Sequence, residues 1–387
     1  MAAHRPDTIE QLIELISTAA AEGTKLELRG GGTKGKMGAD RDAAIVDMTA
    51  FSGIIDYDPP ELVVTVRAGT ALHEVQQLVS DQGQMLAFDP FDHGPVFGAA
   101  SGGATIGGIV AAGVAGSARL TAGGARDHLL GFTAVSGRGE RFVGGGKVVK
   151  NVTGYDLPKL LAGSWGRLAA LTELTLKVLP RPRMSATMAI LGLDHHAAQA
   201  AIARAMGSAA EVGAAAHLPA ADDRPAMTLF RVAGFEPSVK ARCEALPNIV
   251  GALSMLDEDE AARLWAAIRD VSPLADASTL WKISLPPSGG PKLVDRLAPA
   301  GARWLFDWAG GLVWLAYDGD PTLIREAAEA EGGHAMLVRA PDALRNRTPF
   351  QHPRAAGVAA LEARVRRAFD PAGIFETSRF LDHRDAH

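Results

Sequence analysis

Cysteine is almost missing from this chain, with Cys243 alone in 387 residues. An internal disulfide is therefore excluded, and so is an iron–sulfur cluster held by this chain's own thiolates. If electrons leave the protein through such a cluster, another chain must supply it. A basic excess is missing as well: 39 Lys and Arg stand against 44 Asp and Glu, for a net charge of −5, and the cations are scattered. That distribution argues against a nucleic-acid footprint, and no nucleic acid is expected as a partner. Residues 9–20 are not the apolar run of a secretory signal, because Glu10, Gln11 and Glu14 interrupt them. The expected location is cytoplasmic. Residues 94–118 carry no charge and are numerous enough to span a bilayer, but eight of them are glycine, each costing a helix about 1 kcal/mol relative to alanine. A membrane helix is not expected there. Metal-ligand spacing is lacking too, since His195 and His196 adjoin at an expected helix start with no third ligand at matching spacing. No metal site is expected.

Glycine, by contrast, is abundant and concentrated. Residues 94–146 hold 16 glycines in 53 positions, interleaved with Ala, Ser, Thr and isolated aliphatics. Backbone without Cβ atoms can approach a large polar partner closely. Within residues 94–124, Ser101, Thr105, Ser117 and Thr121 add neutral hydrogen-bonding groups, and Arg119 and Arg126 lie in the stretch or just beyond it. A pyrophosphate joined to a large flat ring system needs close backbone approach, several N–H donors and little side-chain bulk, and this composition supplies all three. A flexible linker would lack Ile106, Ile109, Val110 and Val114. A smaller loop, LRGGGTKGKMG at residues 28–38, places Arg29, Gly30, Gly31, Gly32, Thr33 and Lys34 directly after an expected strand. Successive N–H groups in such a turn form an anion-binding nest, with Arg29 or Lys34 adding charge at its rim. The same residues equally suit a plain solvated loop. The GGIVAAG segment near Gly107 lacks the strand and helix context of a dinucleotide fingerprint, so the dehydrogenase fold is not expected.

The length exceeds that at which single cores stop growing, so two folding units are expected. A helix over residues 7–21, capped by Asp7 or Thr8 and ended by Gly23, leads into strands at 25–28, 44–48 and 62–67. Thr70 is expected to cap a helix whose apolar positions are Leu72, Val75, Leu78 and Val79. A hairpin over 130–143 and a strand at 171–179 precede the Pro-Arg-Pro-Arg run of residues 180–183, a natural boundary. Beyond it, strands at 184–191, 227–232, 279–285, 303–306 and 312–317 alternate with Ala-rich helices, the grammar of a separate α+β unit. The tail holds an amphipathic helix at 358–369, then FDPAGIFETSRF.

Several segments together carry a resemblance: RGGGT (29–33), ATIGG (104–108), GGARDHLLG (123–131), VVKNVTGYDLPKL (148–160), GSWGRLAALTELTLKVLP (163–180) and FDPAGIF (369–375). In this order they resemble flavoproteins with a vanillyl-alcohol-oxidase-type, or PCMH-type, FAD-binding domain. LWKISLPP (280–287) and WLFDWAGGLVWL (304–315) narrow the resemblance to the FAD-binding subunits of bacterial glycolate oxidases. The resemblance covers nearly the whole chain. It implies an α+β fold: a two-subdomain FAD-binding domain at 1–182, a smaller α+β cap domain at 183–345, and a C-terminal segment, 346–387, that returns to the FAD domain.

The same resemblance implies FAD as cofactor, bound noncovalently because Thr33 stands where covalent members carry His. Arg29, Gly30, Gly31, Gly32, Thr33 and Lys34 would wrap the pyrophosphate with Ala104, Thr105, Gly107, Gly108, Ala111 and Ala112. Ser117 joins the cofactor set; Asp127, Lys150, Tyr155 and Asp156 match positions that support or contact it, and Gly166 to Leu171 would lie near the adenine. For Asp127 and Asp156, capping is an equal alternative. Trp165 replaces the Glu of a GSEG motif, and residues 376–378 replace Asn-Pro-Gly. The implied activity is that of a 2-hydroxy-acid oxidoreductase subunit converting glycolate to glyoxylate, partnered by a second flavin subunit and an iron–sulfur subunit. Any contact with the inner membrane would be made through those partners. Such chemistry needs a base and a cation for the carboxylate, and Lys282, His352 and Arg354 are the candidates, with Lys282 and His352 foremost. Two alternatives remain: a noncatalytic flavin-binding assembly or electron-transfer subunit, and a stand-alone NADPH-dependent flavin reductase.

Overall fold

The computed structural model describes residues 3–146, 155–221 and 224–381. Contacts divide the chain into a first unit of residues 1–116, 123–181 and 353–387 and a second unit of residues 117–122 and 182–352.

In the first unit, helix α1 (Ile9–Glu22) begins where Thr8, in extended conformation, accepts the N–H of Gln11 at 3.2 Å, and it ends where Gly23 turns left-handed. It buries Leu12, Ile16 and Ala19 along one face. Strands β1 (Ala3–His4), β2 (Leu26–Arg29) and β3 (Ala44–Asp47) form a parallel sheet in the order β1-β3-β2, with Arg29 opposite Asp47. The strands β4 (Ile54–Asp58), β5 (Val63–Arg67), β7 (Leu129–Ser136), β8 (Arg141–Gly145) and β9 (Ala169–Lys177) make an antiparallel sheet in the order β4-β5-β9-β7-β8. A short antiparallel pair, β6 (Gln84–Met85) with β10 (Leu179–Pro180), forms a separate two-stranded sheet.

Helices α2 (Leu72–Ser80) and α3 (Ile106–Ala112) place Leu72, Val75, Val79, Ile106, Ile109 and Val110 in one core with Val64, Val66, Phe132, Leu174 and Leu176 of the larger sheet. Thr70 does not cap α2, contrary to expectation. Ala71 holds that position, while the Thr70 hydroxyl donates to the Arg67 carbonyl at 2.7 Å and accepts the N–H of Gly53 at 3.0 Å, tying the end of β5 to the start of β4. The tail is fastened by Asp370, whose carboxylate accepts the N–H groups of Ile374 (3.0 Å) and Phe375 (2.8 Å). Burial pushes the Asp370 carboxyl up, and those two N–H groups partly oppose the rise. Ile374 and Phe375 then share a core with Leu12, Leu26, Val46 and Val135.

The second unit is built on one antiparallel sheet of eight strands. They are β11 (Met184–Leu191), β12 (Ala214–Leu218), β13 (Met227–Gly234), β14 (Ser254–Met255), β15 (Leu280–Ser284), β16 (Arg303–Asp307), β17 (Leu312–Ala316) and β18 (His334–Arg339), in the order β14-β11-β13-β12-β16-β17-β15-β18. The two halves of this sheet meet at the pairing of His217 with Phe306. Each half has its own core, one around Phe230, Val232 and Ile202, the other around Trp281, Ile283, Val313 and Ile324. Among the described residues no helix is long and apolar enough to cross a membrane.

Candidate cofactor site

Three glycines fix the backbone geometry of the site. β2 runs straight into the first loop, where Gly30 and Gly31 lie against the second loop so closely that side chains are excluded. A Cβ on Gly30 would strike the Thr105 hydroxyl, and one on Gly31 would strike the Gly103 carbonyl. At the first turn of α3, a Cβ on Gly107 would stand 2.7 Å from the Ala68 carbonyl oxygen. Thr105 caps α3 by accepting the N–H of Gly108 at 3.3 Å. The second loop is gathered by the buried carboxylate of Asp92, which accepts N–H groups from Gly94 (2.8 Å), Gly102 (2.8 Å) and Ala104 (3.2 Å).

The result is a cleft open to solvent. Its walls come from residues 27–35, Met48, Ala68, the α3 positions Thr105, Gly107, Gly108, Ala111 and Ala112, residues 165–166 and 169–171, and Arg379. The charged side chains on it are Glu27, Arg29, Lys34 and Arg379, a net excess of two positive charges. Arg29 and Arg41 both bind Glu27, at 3.0 and 2.9 Å. Desolvation pushes the Glu27 carboxyl up, but the two arginines outweigh it and hold the group below its ordinary 4.5. Burial brings Lys34 down to about 8, with Asp92 opposing and Arg379 adding to the shift. Burial likewise brings Arg379 down to about 9, reinforced by Arg41 and opposed by Glu27. Arg379 is pinned by the Met37 and Lys34 carbonyls and lies over the Trp165 ring at 5.0 Å.

Half-buried cations with so little anionic compensation favour a ligand that supplies the missing charge. Among the described residues, the buried Nε of Arg29 has no acceptor. A pyrophosphate diester carries two negative charges, which matches the excess, and the small residues Ala111, Ala112, Ala169, Ala170 and Gly166 leave flat apolar walls beside it. The residues present therefore fit FAD. Because Glu27 is held ionised, its contribution to stability is complete above pH 4.5 and is lost as the pH falls through its lowered folded value. Glu27→Gln is expected to cost about 2 kcal/mol at pH 7, a difference that closes in acid; urea unfolding at several pH values measures it.

Of the residues expected to bind the cofactor, Arg29, Gly30, Gly31, Gly32, Thr33, Lys34, Thr105, Gly107, Gly108, Ala111, Ala112, Gly166 and Leu171 line this cleft. Three others have different work. Ala104 is buried beneath it, its N–H donating to Asp92. The Ser117 hydroxyl donates to Asp307 at 3.0 Å in the second unit. Asp127 accepts the N–H of Gly124 at 2.8 Å, the capping alternative. Tyr155 is exposed, Asp156 caps the helix Leu157–Leu161, and Lys150 lies outside the described residues. Sequence reasoning missed Glu27, Met48, Ala68 and Arg379. Only the position of Arg379 inside the FETSRF tail hinted at it.

The second unit separates the two catalytic candidates. The His352 Nδ1 accepts the Ala335 N–H at 3.2 Å and its Nε2 faces Glu329 Oε1 at 2.9 Å, which ties the residue to β18. Arg354, in the first unit, lies 3.5 Å from Glu362. Among the described residues Lys282 has no such anchor; its ammonium lies over the rings of Trp308 (4.8 Å) and Trp314 (5.8 Å). Folding also brings Asp295 beside His195 and His196, a third ligating group that local spacing could not reveal. Its two oxygens each meet one imidazole, at 2.7 and 2.8 Å.

Comparison with known proteins agrees with the cleft. The family described as FAD binding domain matches residues 2–144, which makes this an FAD-binding flavoprotein. Over 375 residues, 96% of this chain and 97% of the relative, the sequence is 32% identical to the glycolate oxidase subunit GlcE of Escherichia coli, and the chain belongs to that family. A D-lactate dehydrogenase of Archaeoglobus fulgidus is 31% identical over 48% of this chain and 40% of its own length. Among solved structures, an alkyldihydroxyacetonephosphate synthase superposes with a TM-score of 0.67 over 96% of this chain and 76% of that one; at 15% identity the likeness is one of fold.

Proposed function

We propose that this chain is the FAD-holding subunit of a multi-subunit glycolate oxidase that converts glycolate to glyoxylate, with the first unit as its FAD domain and the second as its cap. The end-to-end match to the Escherichia coli subunit carries this reading. FAD, when bound, would supply the acceptor for the hydride, and with it the two electrons, that leaves the hydroxy acid as its hydroxyl gives up a proton. The protein's own part is to hold it: Arg29, Lys34 and Arg379 balance the pyrophosphate, and Gly30, Gly31 and Gly107 let the backbone close around it. Trp165 and Arg379 form one wall as a stacked pair. With one cysteine this chain holds no iron–sulfur cluster by its own thiolates, so electrons that leave through such a cluster need a partner subunit to carry it.

A second reading keeps the cofactor and removes the chemistry. Glu27, the carboxylate on the cleft wall, is engaged by two arginines, and His352 has both nitrogens occupied. This favours a flavin-binding electron-transfer or assembly role for the isolated chain. Anaerobic glycolate added to the purified, FAD-loaded chain separates the two. Bleaching of the flavin is expected if the chain is catalytic by itself; a flavin that bleaches only after partner subunits are added establishes the second role. No bleaching in either preparation overturns the glycolate assignment.

A further inference from the structure

Lys282 is a half-buried lysine that, among the described residues, makes no hydrogen bond or ion pair. It lies mid-strand in β15, opposite Trp314 of β17. Its Nζ is 4.8 Å from the Trp308 ring centre, and the Arg119 guanidinium approaches the same ring at 5.7 Å. Among the described residues neither cation has a hydrogen-bonded or ion-paired acid. The Trp308 Nε1–H is buried beside them and also lacks an acceptor. Asp307 adds one negative charge, held in place by the Ser117 hydroxyl at 3.0 Å and the Trp308 N–H at 2.8 Å.

The backbone here is strained as well. Trp308 and Ala309 adopt φ of +49° and +52°, consecutive non-glycine residues in the left-handed region. Such conformations persist where the surroundings over-determine them, and they cluster at ligand sites. Two anchors hold this one: Asp307 accepts the Trp308 N–H, and the Ala309 carbonyl accepts from Gln199 at 3.1 Å.

We propose that Lys282, Arg119 and Trp308 form a binding site for the carboxylate of a small monoanionic acid. The charges set the class of ligand: two cations against Asp307 leave one positive charge to be met, which a monocarboxylate supplies and a phosphate dianion overshoots. The guanidinium fork suits a carboxylate, and the ammonium and indole N–H add single donors beside it. Burial, reinforced by Arg119 and opposed by Asp307, brings Lys282 down to about 8, which leaves it mostly charged at neutral pH. Choosing glycolate or its 2-oxo product as that acid rests on the function proposed above.

The test is an anaerobic titration of the full-length, FAD-loaded chain with glycolate, followed by indole fluorescence and, in parallel, by flavin absorbance. Trp308→Phe identifies the responding ring. Saturable binding is expected, weakened at least tenfold by Lys282→Met and by Arg119→Met and partly retained by Lys282→Arg, with FAD content unchanged. Phosphate is expected not to compete. No saturation in the parent protein, equal binding in both Met variants, or equal competition by phosphate overturns the site. Should Lys282→Met fail to fold, Arg119→Met decides. Glycolate that saturates the indole signal and leaves the flavin oxidised upholds the site and removes catalysis by this chain; flavin reduction by Lys282→Met at the parent KM does the reverse.

Discussion

Gly31→Ala is expected to yield a protein that no longer retains FAD. The added Cβ would point at the Gly103 carbonyl, and a second backbone atom, the carbonyl carbon, would stand 2.6 Å away. Neither can rotate aside, so the two loops must separate, and the cleft wall opens where the pyrophosphate cations converge. Overpacking of this kind costs about 3 kcal/mol, or roughly a 100-fold loss in FAD affinity if the cost falls on the bound state. Gly30→Ala meets the Thr105 side chain instead, which can yield by giving up its cap on α3, and a smaller loss is expected. Gly357→Ala serves as the control, because that helical position has nothing within 4 Å of the added Cβ; a gain of about 0.5 kcal/mol is expected there. Flavin fluorescence titration of the three variants measures the order. Equal affinities for Gly31→Ala and the parent protein would show that the loops do not need this close approach.

What could be read from sequence follows the range of the interactions. Local signals sufficed for α1, where Thr8 and Gly23 mark the ends and residues 12, 16 and 19 mark the buried face. The RGGGT loop could be placed because it directly follows a short strand, and its glycines are needed for contacts that a Cβ would block. The second loop was harder. Its composition is uniform, yet residues 105–112 line the cleft, residues 94–104 wrap Asp92, and residues 117–122 belong to the second unit. Composition says that backbone must come close to something, not to what. In the second unit, β12 and β18 escaped notice because AAAHL reads as helix and HAMLVR lacks alternation; their pairing partners, not their propensities, make them strands. Arg379 meets Lys34 from 345 residues away, and no local pattern encodes such a pairing.

Asp92→Ala is expected to cause the largest loss of stability in the first unit. Its carboxylate serves three N–H donors, of which those of Gly94 and Ala104 belong to buried residues while Gly102 is exposed and can turn to water. Two buried orphan donors cost about 2–6 kcal/mol together. Asp92→Asn keeps the volume but can accept on one side only, its amide pointing a donor at donors, so an intermediate loss is expected in urea unfolding. The charge has a separate consequence. Asp92 raises the Lys34 pKa against desolvation, so removing it pushes Lys34 below about 8. The charged lysine is present below its pKa and lost as the pH rises through it, so FAD affinity in Asp92→Asn should begin to fall at a lower pH than in the parent. If stability drops while the pH dependence of FAD binding stays in place, Asp92 acts on the loop alone, and Lys34 takes its charge from the pyrophosphate it binds.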